Sequence, residues 1–159
     1  MKENREIGVV VYGATGYTGK LVAEYLNKQY GADGDVSWAM AGRSIDKLEA
    51  VREDLAIPAK VPLIVTDASD PASVRAMVER AAVVITTVGP YQLYGSDLVA
   101  ACAEAGTDYV DLCGEPNWME EMINAHGDAA KASGARIVFS CGFDSIPFDL
   151  GVFFLQEEA

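Results

Sequence analysis

Residues 7–19 constrain this chain more than any other stretch. Ile7–Tyr12 (IGVVVY) is an unbroken apolar run rich in valine, the pattern of a strand buried on both faces. It leads directly into Gly13-Ala14-Thr15-Gly16-Tyr17-Thr18-Gly19, with glycine at every third position. Residues 20–30 follow as a helical pattern, with Leu21, Val22, Tyr25 and Leu26 along one side. Strand, glycine turn and helix in this order bring backbone N–H groups and a helix N-terminus to one point, which is what phosphate oxygens need. Gly13 permits the tight exit from the strand, Gly16 removes a Cβ where a phosphate approaches, and Gly19 lets helix and strand pack closely. The spacing of the glycines alone is weak evidence. The strand before it and the helix after it supply the context of a dinucleotide site.

The alternation continues to the far end of the chain. Further strands are expected at 36–41, 63–66, 83–88, 109–113 and 136–141. Between them, Ser44 reads as the N-cap of a helix that buries Ile45, Leu48, Val51 and Leu55. Asp70 followed by Pro71 starts a helix that runs to about Ala81, and further helices are expected at 97–105 and 117–133. Six β-runs separated by helices with short connections predict right-handed crossovers. The expected fold class is therefore α/β, a Rossmann-type doubly wound domain with a mostly parallel six-stranded sheet and helices on both faces. A length of 159 residues fits one such domain, here taken as 1–159, an NAD(P)-binding unit without a substrate or dimerisation domain. The segment from Pro147 to Leu155 (PFDLGVFFL) is strongly apolar and only four residues follow it. It is expected either to pack back on the sheet or to dock on a further domain or a second copy.

Charge narrows the partners. Twelve basic against 24 acidic residues give a formal net charge of −12, which argues against general binding to nucleic acid or to anionic membranes. A phosphate-bearing ligand must then be held locally, against the field of the whole molecule. The opening MKENREI is too charged for the apolar core of a signal peptide, and no apolar run approaches the ~20 residues of a membrane span. Cys102, Cys113 and Cys141 are odd in number and make no disulfide framework, so a reducing, cytoplasmic setting is expected. One histidine, His126, and no C-x-x-C argue against a zinc site.

The end of the second strand selects the dinucleotide. An NAD site usually places an acid there for the ribose hydroxyls, whereas this chain has Ala41-Gly42-Arg43-Ser44. Arg43 offers a guanidinium fork, Ser44 a hydroxyl at a helix start, and Lys47 a second cation, a set that suits a 2′-phosphate and hence NADP (NADPH). Asp67, after the third strand, can accept from the adenine amino group or cap a turn. Gly89, Pro90 and Tyr91 form a rigid turn with an aromatic on the nicotinamide side of the crevice, where Tyr91 either walls the cofactor or packs. The tips 113–116 and 141–145 either meet substrate or are small-residue turns. Neither a Tyr-x-x-x-Lys pair, a G-x-S-x-G elbow nor a Walker lysine is present. Hydride transfer needs no protein nucleophile, and no catalytic residue is assigned.

Five motifs together resemble a known family. Residues 13–19 (GATGYTG), 41–44 (AGRS), 88–91 (VGPY), 109–115 (YVDLCGE) and 141–151 (CGFDSIPFDLG) look like the N-terminal NADP-binding domain of saccharopine dehydrogenase-like oxidoreductases, in the trans-acting enoyl reductase branch. The resemblance covers nearly the whole chain. It implies cofactor contacts from the glycine loop and Arg43, and hydride delivery to a C=C or C=N bond. It further implies a small-molecule or lipid-precursor substrate, with peripheral membrane association open, and a larger α+β portion after this domain that shapes the substrate site and often a dimer. Two alternatives stay open: a semialdehyde-type dehydrogenase domain using a Cys141 thiolate with a histidine base, and a non-catalytic NADP-binding regulatory module.

Overall fold

The computed structural model describes residues 5–159. Six strands form one sheet: β1 (Ile7–Tyr12), β2 (Trp38–Gly42), β3 (Leu63–Val65), β4 (Ala81–Thr86), β5 (Asp108–Asp111) and β6 (Ile137–Val138). They lie in the order β3-β2-β1-β4-β5-β6 and every pairing is parallel. The order reverses between β1 and β4, and that reversal opens a crevice at the carboxyl ends of the strands.

Two helical layers enclose the sheet, and strand alternation decides which side chain meets which layer. α1 (Tyr17–Tyr30) and α2 (Ile45–Asp54) cover β1 to β3 through Val11, Ala23, Leu26, Met40, Leu48 and Val51. α3 (Pro71–Arg80), α5 (Ser96–Ala105) and α6 (Pro116–Ser133) cover the opposite face through Val10, Val74, Met77, Val84, Leu98, Tyr109 and Trp118. The first layer stops at β1. On its side of β4 to β6, Val83, Ile85 and Val110 are only half-buried and Val138 is exposed.

Local chemistry explains where the elements begin. The Asp70 carboxylate accepts from the Ala72 N–H at 3.1 Å with Pro71 in the first turn, and the Ser44 hydroxyl accepts from the Lys47 N–H at 3.4 Å. A short helix not expected from the sequence, α4 (Tyr91–Tyr94), starts where the Glu115 carboxylate accepts from the N–H groups of Tyr91 and Gln92 at 2.7 and 2.9 Å. That capping acid lies 24 residues away in sequence, so no local pattern marks it.

The differences from expectation have physical causes. α1 begins at Tyr17, because the turn is completed within four residues when the Gly16 N–H bonds to the Gly13 carbonyl at 2.9 Å. Its buried stripe is Gly19, Ala23 and Leu26, so that of the expected residues Leu26 is buried and Val22 half-buried, whereas Leu21 and Tyr25 are 49% and 58% exposed. Small residues bring α1 close to β1, and the bulky ones turn outward. Ile45 likewise faces solvent. β4 starts two residues early, directly out of α3, and ends at Thr86. β6 keeps two of its expected six residues: Ser140 takes a left-handed φ of 59° and its N–H turns to the Asp111 carboxylate at 2.8 Å. α7 (Ile146–Glu158) spans the apolar tail but buries none of its residues, which excludes packing back on the sheet. Among the described residues no helix is long and apolar enough to cross a membrane.

The contact between α1 and β1 gives a test. In a helix, glycine to alanine usually stabilises by about 1 kcal/mol. At Gly19 an added Cβ would lie 2.1 Å from the Gly13 carbonyl oxygen, whereas at Gly127 in α6 nothing lies within 4 Å. Gly19→Ala is therefore expected to lose about 1–3 kcal/mol and Gly127→Ala to gain up to about 1 kcal/mol, read as opposite shifts of the urea midpoint.

Candidate functional site

The crevice is built from the end of β1 outward. Gly13 has a φ of 91°, and a Cβ there would lie 2.6 Å from Thr87 Oγ1, so the position admits glycine for both reasons. The N–H groups of Gly13 and Ala14 donate to the Ala41 carbonyl at 3.0 and 3.2 Å, which ties the turn to β2. Gly16 then enters α1 in an extended conformation, with no side chain capping the helix and no acid in its first turn. The N–H groups of Tyr17, Thr18 and Gly19 precede the first intrahelical bond, from Lys20 to Gly16, and have no acceptor within the helix. Such a helix end favours an anion.

Tyr12, Gly13, Thr15, Gly42, Arg43, Asp67, Ala68, Val88, Gly89 and Tyr94 line a cleft of about 190 Å³ beside this turn. Arg43 stands exposed at its mouth and Lys47 is exposed one turn along α2. Among the described residues neither side chain makes an ion pair, although the chain carries 24 acids. The Asp67 carboxylate accepts from the Ser69 N–H and Oγ at 2.9 and 2.8 Å, which, with Arg43 nearby, holds it below the usual carboxylate range. It is thus an ionised acceptor. Tyr12 is buried and its hydroxyl has no hydrogen-bond partner among the described residues. Burial, reinforced by the charge of Asp67, pushes its phenol up to about 12.

Of the residues singled out in the sequence, Gly13, Thr15, Arg43, Asp67 and Gly89 meet in this cleft. Gly16, Tyr17 and Thr18 sit at the exposed start of α1, while Ala14 and Gly19 are buried beneath the turn. The Ser44 hydroxyl is engaged in capping α2, and Pro90 is exposed at the turn before α4. Tyr91 is a correction. Its ring packs 5.6 Å from that of Trp118 and its hydroxyl donates to the Thr86 carbonyl at 3.2 Å, so it belongs to the core. The aromatic at the cleft is Tyr94, three residues on, placed there by the unforeseen α4. Tyr12, Gly42, Ala68 and Val88 also escaped the sequence reading of the site. Only Tyr12 carried a signal, a polar tip at the carboxyl end of an apolar strand.

A second cleft, of about 420 Å³, lies between α1 and the open half of the sheet, lined by Thr18, Val22, Ile85, Thr87, Asp111, Cys141, Phe143 and Ser145 among others. Asp111 is buried and its carboxylate accepts from the Tyr109 hydroxyl at 2.7 Å and from the N–H groups of Cys113 and Ser140 at 3.0 and 2.8 Å. Three accepted bonds make it a structural acceptor. Burial first, and Asp111 second, push the Cys141 thiol up, and burial does the same to Cys113. Neither is poised as a thiolate. His126 lines a separate apolar hollow with Met122, Ile123 and Phe139.

Residues 9–138 match the family model described as the saccharopine dehydrogenase NADP binding domain. The chain belongs to that family. It is 51% identical over 156 residues to a trans-acting enoyl reductase of Mycobacterium leprae, covering 98% of this chain and 37% of the relative. A trans-acting enoyl reductase of Mycobacterium ulcerans is 49% identical over the same shares. The chain thus spans little more than a third of the length of these relatives. Among solved structures it superposes on the apo saccharopine dehydrogenase (L-Glu forming) of Saccharomyces cerevisiae with a TM-score of 0.67 at 18% identity, covering 95% of this chain and 31% of that one. The Citrobacter sp. triphenylmethane reductase complexed with NADP(H) gives 0.59 at 19% identity, over 83% and 48% of the two chains. At such identities these structures speak for the fold. NADP is the cofactor of this domain family, and the residues present fit it: an uncapped helix start lies beside a cleft that holds an arginine without an ion pair and a hydroxyl without a partner among the described residues.

The buried phenols set an alkaline limit. Tyr12 and Tyr91 are both raised from 10 to about 12, chiefly by burial. Because the folded value lies above the unfolded one, their contribution to stability is whole below pH 10 and is lost as the pH rises through 12. Stability is expected to fall steeply across that window, and Tyr12→Phe to make the fall shallower, as measured by urea unfolding at a series of pH values.

Proposed function

We propose that residues 1–159 form the cofactor-holding domain of an NADP-dependent reductase that delivers hydride to a C=C or C=N bond. The substrate is a small molecule or lipid precursor, reduced in the cytoplasm. The observation that carries the NADP half of the reading is Arg43, a guanidinium without an ion pair among the described residues at the end of β2, where a carboxylate would otherwise receive the ribose. Arg43 forks onto the 2′-phosphate, with Lys47 adding charge from α2. The open N–H groups at the start of α1 take the pyrophosphate, and Gly13 lets it approach the backbone. Asp67 accepts from the adenine amino group. When bound, the nicotinamide supplies the hydride, and the chain's work is to hold it at a fixed place beside the second cleft.

Family membership and the 49–51% identical relatives named as enoyl reductases support the reduction. The raised thiols of Cys113 and Cys141 run against a thiolate mechanism of the semialdehyde type. All three cysteines are free, as suits a reducing compartment.

The substrate side is completed, in this reading, by a further domain or a second copy seated on α7. Phe148, Leu150, Val152, Phe153, Phe154 and Leu155 are all exposed there, and a helix apolar on every side is stable only when covered.

Two measurements test the proposal. Titration calorimetry of the protein with NADPH and NADH is expected to show preference for NADPH, and Arg43→Ala to weaken NADPH roughly 10- to 100-fold while sparing NADH. A preference unchanged in the variant would remove the assignment of the 2′-phosphate. For the docking surface, Phe153→Glu with Phe154→Glu is expected to dissociate or destabilise the natural protein in light scattering and thermal unfolding. No change in either would leave α7 a solvent helix.

A further inference from the structure

One polar group in the cofactor crevice has no place in the contacts assigned so far. Tyr12 closes β1, is 1% exposed, and has its ring fixed in the core on the α3 and α5 side of the sheet. Its hydroxyl is buried and bonds to nothing among the described residues, yet the residue lines the same cleft as Arg43 and Asp67. A buried hydroxyl without a partner destabilises a protein, and phenylalanine would fill the same space without that cost. The neighbours do not serve it. Arg43 has donors only, and the Asp67 carboxylate, whose Oδ1 accepts from the N–H and Oγ of Ser69, makes no hydrogen bond with the Tyr12 hydroxyl. The partner is therefore one that arrives.

The cleft indicates which part of the cofactor that is. Charge is confined to its mouth, at Arg43 and Asp67, while Ala68, Val88 and Tyr94 give it apolar and aromatic walls. Tyr12 adds a neutral donor, since its phenol keeps its proton up to about 12. Apolar walls with few uncharged donors, the hydroxyls of Tyr12 and Thr15 among them, suit a flat, uncharged heteroaromatic ring that carries acceptor nitrogens.

We propose that the Tyr12 hydroxyl donates a hydrogen bond to the adenosine half of bound NADP, so that the last residue of β1 positions the cofactor alongside the glycine turn that follows it. This rests on the reading of the crevice as the NADP site. The position lies outside the glycine motif and contributes through its side chain, whereas the turn contributes through its backbone.

The test is Tyr12→Phe, which deletes one oxygen and leaves the ring packing intact. Thermal unfolding of the ligand-free protein is expected to be unchanged or shifted upward, because an unpartnered hydroxyl is lost. Binding of both NADPH and 2′,5′-ADP is expected to weaken about three- to tenfold. A structural role would instead lower the unfolding temperature of the free protein, and that result overturns the proposal. So does unchanged affinity for both ligands, which would mean that solvent serves the hydroxyl. Loss for NADPH but not for 2′,5′-ADP also overturns it, by placing the contact on the other half of the cofactor. A wild-type protein that binds neither ligand would overturn the cofactor reading itself, and this inference with it.

Discussion

The approach of α1 to β1 is the constraint on which the other features depend. Gly19 sits against the Gly13 carbonyl so closely that a single methyl group would collide with it. The stripe continues through Ala23 and Leu26, small before large, and lets the helix lie down on the strand. Because the helix is that close, its first turn points across the end of the sheet. Its free N–H groups then open onto the crevice created by the reversal of strand order between β1 and β4. Close packing and an open helix start are thus two consequences of one contact.

The electrostatics follow from that placement. A chain of net charge −12 repels a dinucleotide phosphate at long range, so any affinity must come from groups within a few ångströms of it. The structure concentrates them. Among the described residues, seven cations are held in ion pairs, such as Arg80 with Glu6 and Arg75 with Glu104, and Arg5 and Arg52 donate to backbone carbonyls. Among the described residues the Arg43 and Lys47 side chains do neither, and they flank the start of α2, where the helix N-terminus adds its own positive end. Exposed ion pairs contribute little stability, so leaving two cations without them costs the fold almost nothing.

What was legible in the sequence was whatever a short stretch of chain decides by itself. The β-α alternation, the caps at Ser44 and Asp70, and the left-handed φ of Gly13 are each set by neighbouring residues. What escaped depended on distant partners. The helix α4 is capped by Glu115, and its formation brings Tyr94 rather than Tyr91 to the cleft. β6 is shortened because the buried carboxylate of Asp111 draws the Ser140 N–H out of the ladder. The apolar side of α1 was misjudged for a similar reason. Hydrophobicity favoured Leu21 and Tyr25, but close packing on a valine-rich strand favours residues with no bulk.

The molecule is also lopsided, and the asymmetry has a physical reading. Right-handed crossovers to either side of the switch point place α1 and α2 on one face and α3, α5 and α6 on the other. The face beside α1 is consequently bare over β4, β5 and β6, and the larger of the two clefts lies on it. α7 adds apolar surface that this chain does not cover. A nicotinamide held at the end of β4 would look onto that bare face. In the proposed reading, a body covering that face would exclude water from the nicotinamide, so that enclosing the substrate and burying the apolar surface would be the same event.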